Sequence, residues 1–578
     1  MNTACALDCY DACRIDDKSP LCALVNREIK NAPRIESPRV DGVEVSMQEG
    51  LDAVVESFRD KSSLLWRGSG NVGVMQEITN LFMEQIKGTL TEGSLCDGAG
   101  DAGIVNGRGV NRTLPLEQIQ KADTIVVWGR NLTVTNAHIL PHIKDKNLVV
   151  IDPIKTHIAK MADLHLQIEP RSDYFVALML ARFIFMEDSQ DIEWLEEFGS
   201  EYEEFYEYSC EYRIKSILDY IGTDLGEMGR VLNFLRDQKV VFLVGTGVQK
   251  YSTGASVLEA IDSLASVLGL FGKEGCGVSY LGNSKLGFDN PFEVSTNCIS
   301  KVDTPFEKFD TVLVQGGNPA ESMPNSNRVK ESLESVENLI YFGLYENETS
   351  KLAKIVIPAK NFFEKDDIRL SYSDYSVKKI NKIQESEIGI DEYQFTKYLF
   401  EAFGFDGLKS EKEYIDFWLN QCSKNGDEYI SPAYQSLPYS DGFGENGGDE
   451  FVFIEDYDDD FIDTKQFTKS RKRKQKEETE KEYWLISPKS SKSLNTQFKL
   501  NDKVKLHPDL GYSDGDRVKI SSLYGEVELV VENSKDIHLN SLLITNNTKG
   551  VNNLTPPMIS EYGNSACFQE VKVTITSI

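Results

Sequence analysis

Thr124–Asn131 reads T-I-V-V-W-G-R-N, a continuous β-branched and aromatic run followed by a glycine, a cation and an amide. An unbroken apolar run of that length predicts a strand buried on both faces, and such strands belong to parallel sheets covered by helices. The pattern recurs. Leu148–Ile151 ends at Asp152-Pro153, and Val240–Val244 ends at Gly245-Thr246-Gly247. Thr311–Val314 ends at Gln315-Gly316-Gly317-Asn318-Pro319, and Ile355–Ile357 ends at Pro358. Helical stretches lie between. Ser172-Asp173 opens one that runs to about Met186 and is apolar nearly all round, which predicts a core helix. Ser46, with Glu49 three residues on and then Leu51, Val54, Val55 and Phe58, predicts a capped amphipathic helix. The fold class is therefore α/β and multidomain. In open parallel sheets ligands sit at the carboxyl ends of the strands. The glycines and small polar residues of this chain fall there, so more than one nucleotide-like moiety can be bound. These turns contain no G-x-G-x-x-G fingerprint and no Walker A loop, and each one alone also reads as plain punctuation.

Composition narrows the choice. A chain of 578 residues is too long for one core and predicts three to five domains. With 40% hydrophobic and 27% charged residues it reads as an ordinary globular protein. A net charge of −30 argues against nucleic acid and anionic membranes as partners. Met1–Asp8 has no basic or apolar leader, and the longest apolar stretch, Tyr174–Met186, is too short to span a bilayer and contains Arg182. These features predict no membrane span and a cytoplasmic location. There the ten cysteines stay reduced and read as ligands, nucleophiles or core residues.

Two stretches carry chemistry. Thr91–Gly103, T-E-G-S-L-C-D-G-A-G-D-A-G, sets Cys96 among glycines. A thiolate on such a loop is a nucleophile or a soft-metal ligand; the same stretch also reads as a glycine-rich turn with an inert buried thiol. Cys5, Cys9, Cys13 and Cys22 fall within the first 22 residues, with three residues between the first three. Four thiolates at that spacing suit a 4Fe-4S cluster, a zinc ion, or a terminus without metal. Further on, Glu193–Glu211 reads as a solvated acidic excursion. Asp441–Asp463 reads as an acid-rich loop, and Thr468–Lys481 as a solvated linker whose basic run is followed at once by glutamates. From Tyr483 the chain reads as β: Arg517–Ile520 and Glu526–Val531 flank a Leu-Tyr-Gly turn and Glu570–Ile575 alternates, which predicts a compact barrel.

The order of these motifs resembles the molybdopterin oxidoreductase family, which includes dimethyl sulfoxide reductase and bacterial formate dehydrogenases, over nearly the whole chain. The resemblance makes Cys5, Cys9, Cys13 and Cys22 the ligands of an N-terminal 4Fe-4S cluster. It makes Cys96 of G-S-L-C-D-G-A-G the protein ligand of a molybdenum or tungsten ion; Asp97 beside it reads as a catalytic residue, a candidate general base. Gly129 and Asn131, Asp152 and Thr156, and Asp173 resemble segments that bind one pterin guanine dinucleotide. Gly245, Gly247 and Gln249, Gly317 and Asn318, Asn347, Glu348 and Thr349, and Asp367 resemble those around the other. Ser487 and Asn495 of S-P-K-S-S-K-S-L-N-T-Q-F, with Asn553 and Gln569, resemble the closing contacts from the barrel.

The implied cofactors are a 4Fe-4S cluster and a Mo- or W-bis(molybdopterin guanine dinucleotide). The implied activity is oxygen-atom or hydride transfer on a small-molecule substrate, with an electron-transfer partner protein. Gly98 and Gly100 are expected to leave room for the pterins. The chain then divides into an iron–sulfur segment (1–45), a discontinuous α/β pterin-binding domain (46–110 and 306–450), an α/β dinucleotide-binding domain (111–305), a charged linker (451–482) and the barrel (483–578).

Three features depart from the family. The Cys13–Cys22 segment is shorter than the usual hairpin, which implies a more exposed cluster or none. Leu24 stands where a lysine usually separates cluster and pterin, and the nearest cation is Arg27. Asp97 stands where formate dehydrogenases carry a histidine, and an ionised carboxylate there disfavours formate. Two other classes stay open: a non-catalytic electron-transfer or scaffold subunit that keeps the fold, and a zinc-bearing α/β binding protein.

Overall fold

The run Thr124–Trp128 forms the strand its sequence predicts and is the middle of a five-stranded sheet. The order is Gly277–Ser279, Val240–Val244, Thr124–Trp128, Asn147–Ile151, Leu164–Leu166, parallel throughout. Every residue of Thr124–Trp128 and Val240–Val244 is buried, which is why neither run alternates. The structure is a computed structural model and describes residues 2–16, 33–236, 238–426, 428–457, 459, 462–468, 481–491, 493–494, 497–498 and 501–578. Helices Asp173–Met186 and Gly254–Val267 cover one face of this sheet in the largest core. A second core, with Ile125, Val127, Val150 and Val241, lies on the other face.

An eight-stranded sheet runs in the order Cys298–Ser300, Thr89–Glu92, Ser63–Arg67, Thr311–Gln315, Asn338–Gly343, Ile355–Pro358, Arg39–Val40, Val43–Glu44. The first six strands are parallel to one another, and the last two pairings are antiparallel. Helix Met47–Phe58 packs on it, and its predicted capping box is present. The Ser46 N–H donates to Glu49 Oε2 (2.8 Å), and the Glu49 N–H donates to Ser46 Oγ (3.2 Å). Asp367–Leu370, Ser376–Ile380, Glu428–Ile430 and Ser423–Asn425 form a small antiparallel sheet.

The C-terminal part is a closed six-stranded barrel of Tyr483–Ile486, Ser541–Leu543, Lys503–Leu506, Glu526–Asn533, Arg517–Ser521 and Lys572–Ser577. Leu485, Val504, Leu506, Val518, Ile520 and Leu542 fill it. The chain starts with a hairpin, Asn2–Ala4 against Arg14–Asp16, packed on Phe362, Phe363 and Ile380. Among the described residues no helix is long and apolar enough to cross a membrane.

Two stretches differ from the reading of their composition. Phe451, Phe453, Ile454, Tyr457, Ile462 and Phe467, in the stretch expected as loop and charged linker, are buried in the core of the five-stranded sheet. Phe451–Val452 pairs with Gly199–Ser200. Likewise Trp194, Leu195 and Phe205 of the acidic excursion are buried. In both, aromatics alternate with carboxylates, so the average looks solvated while one face is core. The basic run 469–480 lies outside the described residues.

Candidate active site

The carboxyl ends of both parallel sheets and one side of the barrel surround a cavity of about 1210 Å³. Strand ends and turns supply most of its wall, as the doubly wound architecture requires. Of the residues singled out in the sequence, Cys9, Cys13, Cys96, Asp97, Gly129, Asn131, Asp152, Thr156, Asp173, Gly245, Gly247, Gly317, Asn318, Asn347, Glu348, Ser487 and Gln569 line it. Others stand behind the wall. Thr349 donates from its N–H (3.2 Å) and Oγ1 (2.9 Å) to Asn318 Oδ1, fixing that amide. Asp367 accepts the Met75 N–H at 3.0 Å and faces Lys365, and Asn553 Oδ1 accepts from Ser326 Oγ at 2.7 Å. Cys5 is buried in the N-terminal hairpin. Cys22, Leu24, Arg27 and Asn495 lie outside the described residues.

Cys96 sits between strand Thr89–Glu92 and helix Gly98–Arg108. Ser94 folds the loop. Its Oγ accepts the N–H of Cys96 (2.9 Å) and of Asp97 (3.1 Å) and donates to Asp97 Oδ1 (2.6 Å). Lys250 Nζ donates to the carbonyls of Leu95 (2.9 Å) and Cys96 (2.5 Å). Gln249 stands behind the loop and bridges it, donating to Cys96 O (2.6 Å) and accepting the Gly100 N–H (3.0 Å).

The glycines after Cys96 do a different task from the one expected. A Cβ on Gly98 would lie 2.1 Å from the Gly563 carbonyl oxygen, on Gly100 2.5 Å from the Tyr280 hydroxyl, and on Gly103 2.2 Å from the Ala255 carbonyl oxygen. They let the helix lie close on its neighbours. The paired turns after the central strands are packed on each other in the same way. Gly129 has φ +55°, and a Cβ on Gly245 or Gly247 would lie 2.4 or 2.6 Å from its carbonyl oxygen.

Burial pushes the Cys96 thiol above its usual range, while Lys250 and Lys489 pull it back. The same burial lowers Lys250, and Cys96 and Asp97 raise it. Burial also works against the charge of Lys489, but Asp8, Cys96, Cys9 and Asp97 more than offset this and hold the ammonium above its usual range. A cation of the barrel thus stands within the field of both the N-terminal cysteines and Cys96. Asp152 is pushed up to about 7 by burial, although its carboxylate accepts the Ile154 N–H at 2.8 Å. Asp173 is pushed up to about 6, also by burial, with its Oδ1 accepting from Trp128 Nε1 at 2.7 Å. Arg171, at φ 68°, is held by Asp459 (2.8 Å) and Glu570 and places Asp173 at the start of its helix.

In the hairpin, a hydrogen bond between the Cys5 and Cys9 thiols holds Cys9 below and Cys5 well above the usual thiol range. Cys13 Sγ lies 3.8 Å from His138 Nδ1. Among the described residues no three histidine, cysteine or carboxylate side chains converge on a single-ion site. The thiols fit an iron–sulfur cluster in donor chemistry, with three of the four expected ligands described.

The cavity itself fits an elongated, polar, anionic group. Among the described residues twelve lysines and arginines and ten aspartates and glutamates line it, although acids outnumber bases 92 to 62 in the chain. Arg130 Nη1, Gln315 Oε1 and Ser487 Oγ are buried in its wall without a hydrogen-bond partner. The sequence reading noted Arg130 but overlooked Arg67, Lys301 and Lys489, which sit at the last residue of a strand, one residue past a strand and in a loop, so only the assembled strand ends reveal them.

Fold and site together define an α/β protein with facing dinucleotide-type strand ends, a cysteine loop between them and a barrel closing the cavity. The chain belongs to the molybdopterin oxidoreductase family, whose model, described as Molybdopterin oxidoreductase, matches residues 56–387. It is 22% identical over 517 residues to the probable oxidoreductase YyaE of Bacillus subtilis, covering 76% of each. It is 24% identical over 391 residues to the F420-dependent formate dehydrogenase subunit alpha of Methanocaldococcus jannaschii, covering 61% of this chain and 55% of that one. With the assimilatory nitrate reductase catalytic subunit of Bacillus subtilis the identity is 22%, covering 47% of this chain and 44% of that one. Among solved structures, acetylene hydratase from Pelobacter acetylenicus has the same fold, with a TM-score of 0.73 at 13% identity over 94% of this chain and 92% of that one. Membership makes the chain an oxidoreductase with a molybdopterin-bound metal cofactor.

Proposed function

We propose that the chain catalyses two-electron oxidation or reduction of a small molecule at a molybdenum or tungsten ion held by two pterin guanine dinucleotides and Cys96. The observation that carries this is the Cys96 loop, held at the wall of a cavity into which the ends of both parallel sheets also open. Gly129, Asn131, Asp152, Thr156 and Asp173 would hold one dinucleotide. Gly245, Gly247, Gly317, Asn318, Asn347 and Glu348 would hold the other, with Gln249, Thr349, Asp367 and Asn553 bracing the wall and Ser487, Asn495 and Gln569 closing it. When bound, the group supplies oxygen-atom or hydride transfer at the metal. The chain's own residues set the conditions. Lys250 and Lys489 favour the thiolate of Cys96. Asp97, turned onto Ser94 Oγ, is placed to take up a proton. Its charge is shared with Lys250, Lys301 and Lys489, so it is not the isolated repulsive carboxylate that its position next to Cys96 suggests.

Electrons would pass through a 4Fe-4S cluster on Cys5, Cys9, Cys13 and Cys22 to a partner protein in the cytoplasm. The charge of Lys489, on which both Cys9 and Cys96 act, supports that route. The division of the chain given above goes with this reading, except that Phe451, Phe453, Ile454, Tyr457, Ile462 and Phe467 belong to the core of the five-stranded sheet and not to a linker. Metal analysis of anaerobically purified protein tests it. About one molybdenum or tungsten with about four irons per chain is expected. Iron alone would indicate an electron-transfer or scaffold subunit, and zinc alone a zinc-bearing binding protein.

A further inference from the structure

We propose that Asn564 is a positioning residue for Cys96; this rests on the reading of Cys96 as the metal's protein ligand and names what holds that ligand in place. The loop 94–98 leaves strand Thr89–Glu92 through Gly93, whose φ of 84° lets the chain turn there. Beyond it, both backbone groups of Ser94 are engaged by a turn that lies in the chain between barrel strands Ser541–Leu543 and Lys572–Ser577. The Ser94 N–H donates to the Asn564 carbonyl at 3.0 Å, and the Ser94 carbonyl accepts the Ala566 N–H at 3.1 Å. The approach is tight, since a Cβ on Gly93 would lie 2.4 Å from the Asn564 carbonyl oxygen. The other end of the loop meets the same turn: a Cβ on Gly563 would lie 1.9 Å from the Gly98 carbonyl oxygen. Cys96 therefore sits between two points that 563–566 fix. Ser94 Oγ carries the first of them to the N–H groups of Cys96 and Asp97.

Asn564 suits this place in two ways. Its φ is 44°, in the left-handed region that glycine, asparagine and aspartate adopt and most other residues avoid. Its Oδ1 accepts from Ser300 Oγ at 2.8 Å, and Ser300 ends the strand that pairs in register with Glu92. The side chain thus ties the turn to the edge strand beside the loop, while the backbone carbonyl holds Ser94. The turn is also closed on itself. The Ser560 N–H donates to the Ser565 carbonyl at 2.8 Å, and the Ser565 N–H donates to Ser560 Oγ at 3.0 Å. Its tip, 561–563, is exposed, so the hydrogen bonds on the inner side set its place. Glycine at 564 would keep the backbone shape without the anchor, whereas aspartate would keep both.

Three measurements on metal-loaded wild type, Asn564→Gly, Asn564→Asp and Cys96→Ala test this: hydrogen exchange of the peptide 93–98, X-ray absorption at the metal edge, and pterin content. Asn564→Gly should speed exchange of 93–98 at least about fivefold, as loss of one hydrogen bond does, and leave the strand Thr124–Trp128 unchanged. Its mean sulfur count at the metal should fall between those of wild type and Cys96→Ala, with pterin at the wild-type level. Asn564→Asp should restore both the slow exchange and the sulfur count. Should Asn564→Gly not fold, Ser300→Ala removes the same hydrogen bond from the other side and carries the same expectation. Unchanged exchange at 93–98, equally faster exchange of Thr124–Trp128, an unchanged sulfur count, loss of pterin, or no rescue by aspartate would each overturn this role alone. Equal sulfur counts in wild type and Cys96→Ala would overturn Cys96 as the ligand, and this role with it.

Discussion

Cys96 is defined by its neighbours more than by its own burial. Lys250 holds the carbonyls of Leu95 and Cys96 and lowers the cost of a thiolate there. Lys250→Met removes both effects. The thiol of cofactor-free protein then titrates higher, so iodoacetamide should modify it more slowly at any pH near 8 and the rate profile should move to higher pH. An unchanged profile would detach Lys250 from Cys96. Asp152 gives a second test with a definite sign. Its carboxyl is raised by burial from an ordinary 3.8 to about 7. The folded state therefore holds the proton more tightly than the unfolded chain. This stabilisation is complete below about pH 4 and is lost as pH rises through 7. Three pK units correspond to at most about 4 kcal/mol, reduced by whatever solvent reaches the cavity wall. Cofactor-free wild type should thus lose stability to denaturant between pH 4 and 7 by more than Asp152→Asn does, and parallel curves would contradict the shift. Trp128 and Asp152 were legible as strand end and turn. The burial that perturbs Asp152 was not, because it depends on parts distant in sequence: Ile154 beside it packs on Ile486, Ile537 and Leu543, and the charge of Asp173 adds to the shift.

At the scale of elements, backbone meets backbone where the Cys96 helix begins. A Cβ on Gly98 has nowhere to go but the Gly563 carbonyl, and neither backbone can yield as a flexible side chain could. Gly98→Ala should cost about 1–3 kcal/mol, as overpacking does, and lower the thermal midpoint. Gly229, inside helix Leu225–Leu235, has nothing within 4 Å of an added Cβ. Gly229→Ala should be neutral or stabilising by up to about 1 kcal/mol. Equal midpoints for the two variants would show that the Gly98 approach is looser than drawn. Thr124–Trp128 and Val240–Val244 were readable because both faces are buried and the runs are unbroken. Thr89–Glu92 and Cys298–Ser300, the strands that carry Cys96 and Lys301, left no such trace. They are short, lie at one end of their sheet, and are only partly buried, so nothing forces their residues to be apolar. Asn338–Gly343 is fully buried, yet its short apolar run is equally compatible with a helix segment.

For the whole molecule, the cavity wall is drawn from both parallel sheets, the N-terminal hairpin and the barrel, so no local motif describes it. The reading of the chain placed the turns correctly on strand ends but could not see which ends face one another, nor that an acidic chain lines this one cavity with so many cations. A group bound across these parts stabilises all of them by mass action. Protein made without molybdate or tungstate should therefore melt lower than loaded protein, and identical midpoints would mean that the cavity holds no such bridging group. The central claim is that Cys96 is the protein ligand of the metal in that cavity. X-ray absorption at the molybdenum or tungsten edge counts sulfur neighbours directly. Cys96→Ala, a change worth roughly 1 kcal/mol of packing, should leave the fold intact. Its spectrum should show one sulfur fewer than wild type and its turnover should be lost or altered. An identical first shell with full activity would return Cys96 to the role of an inert thiol.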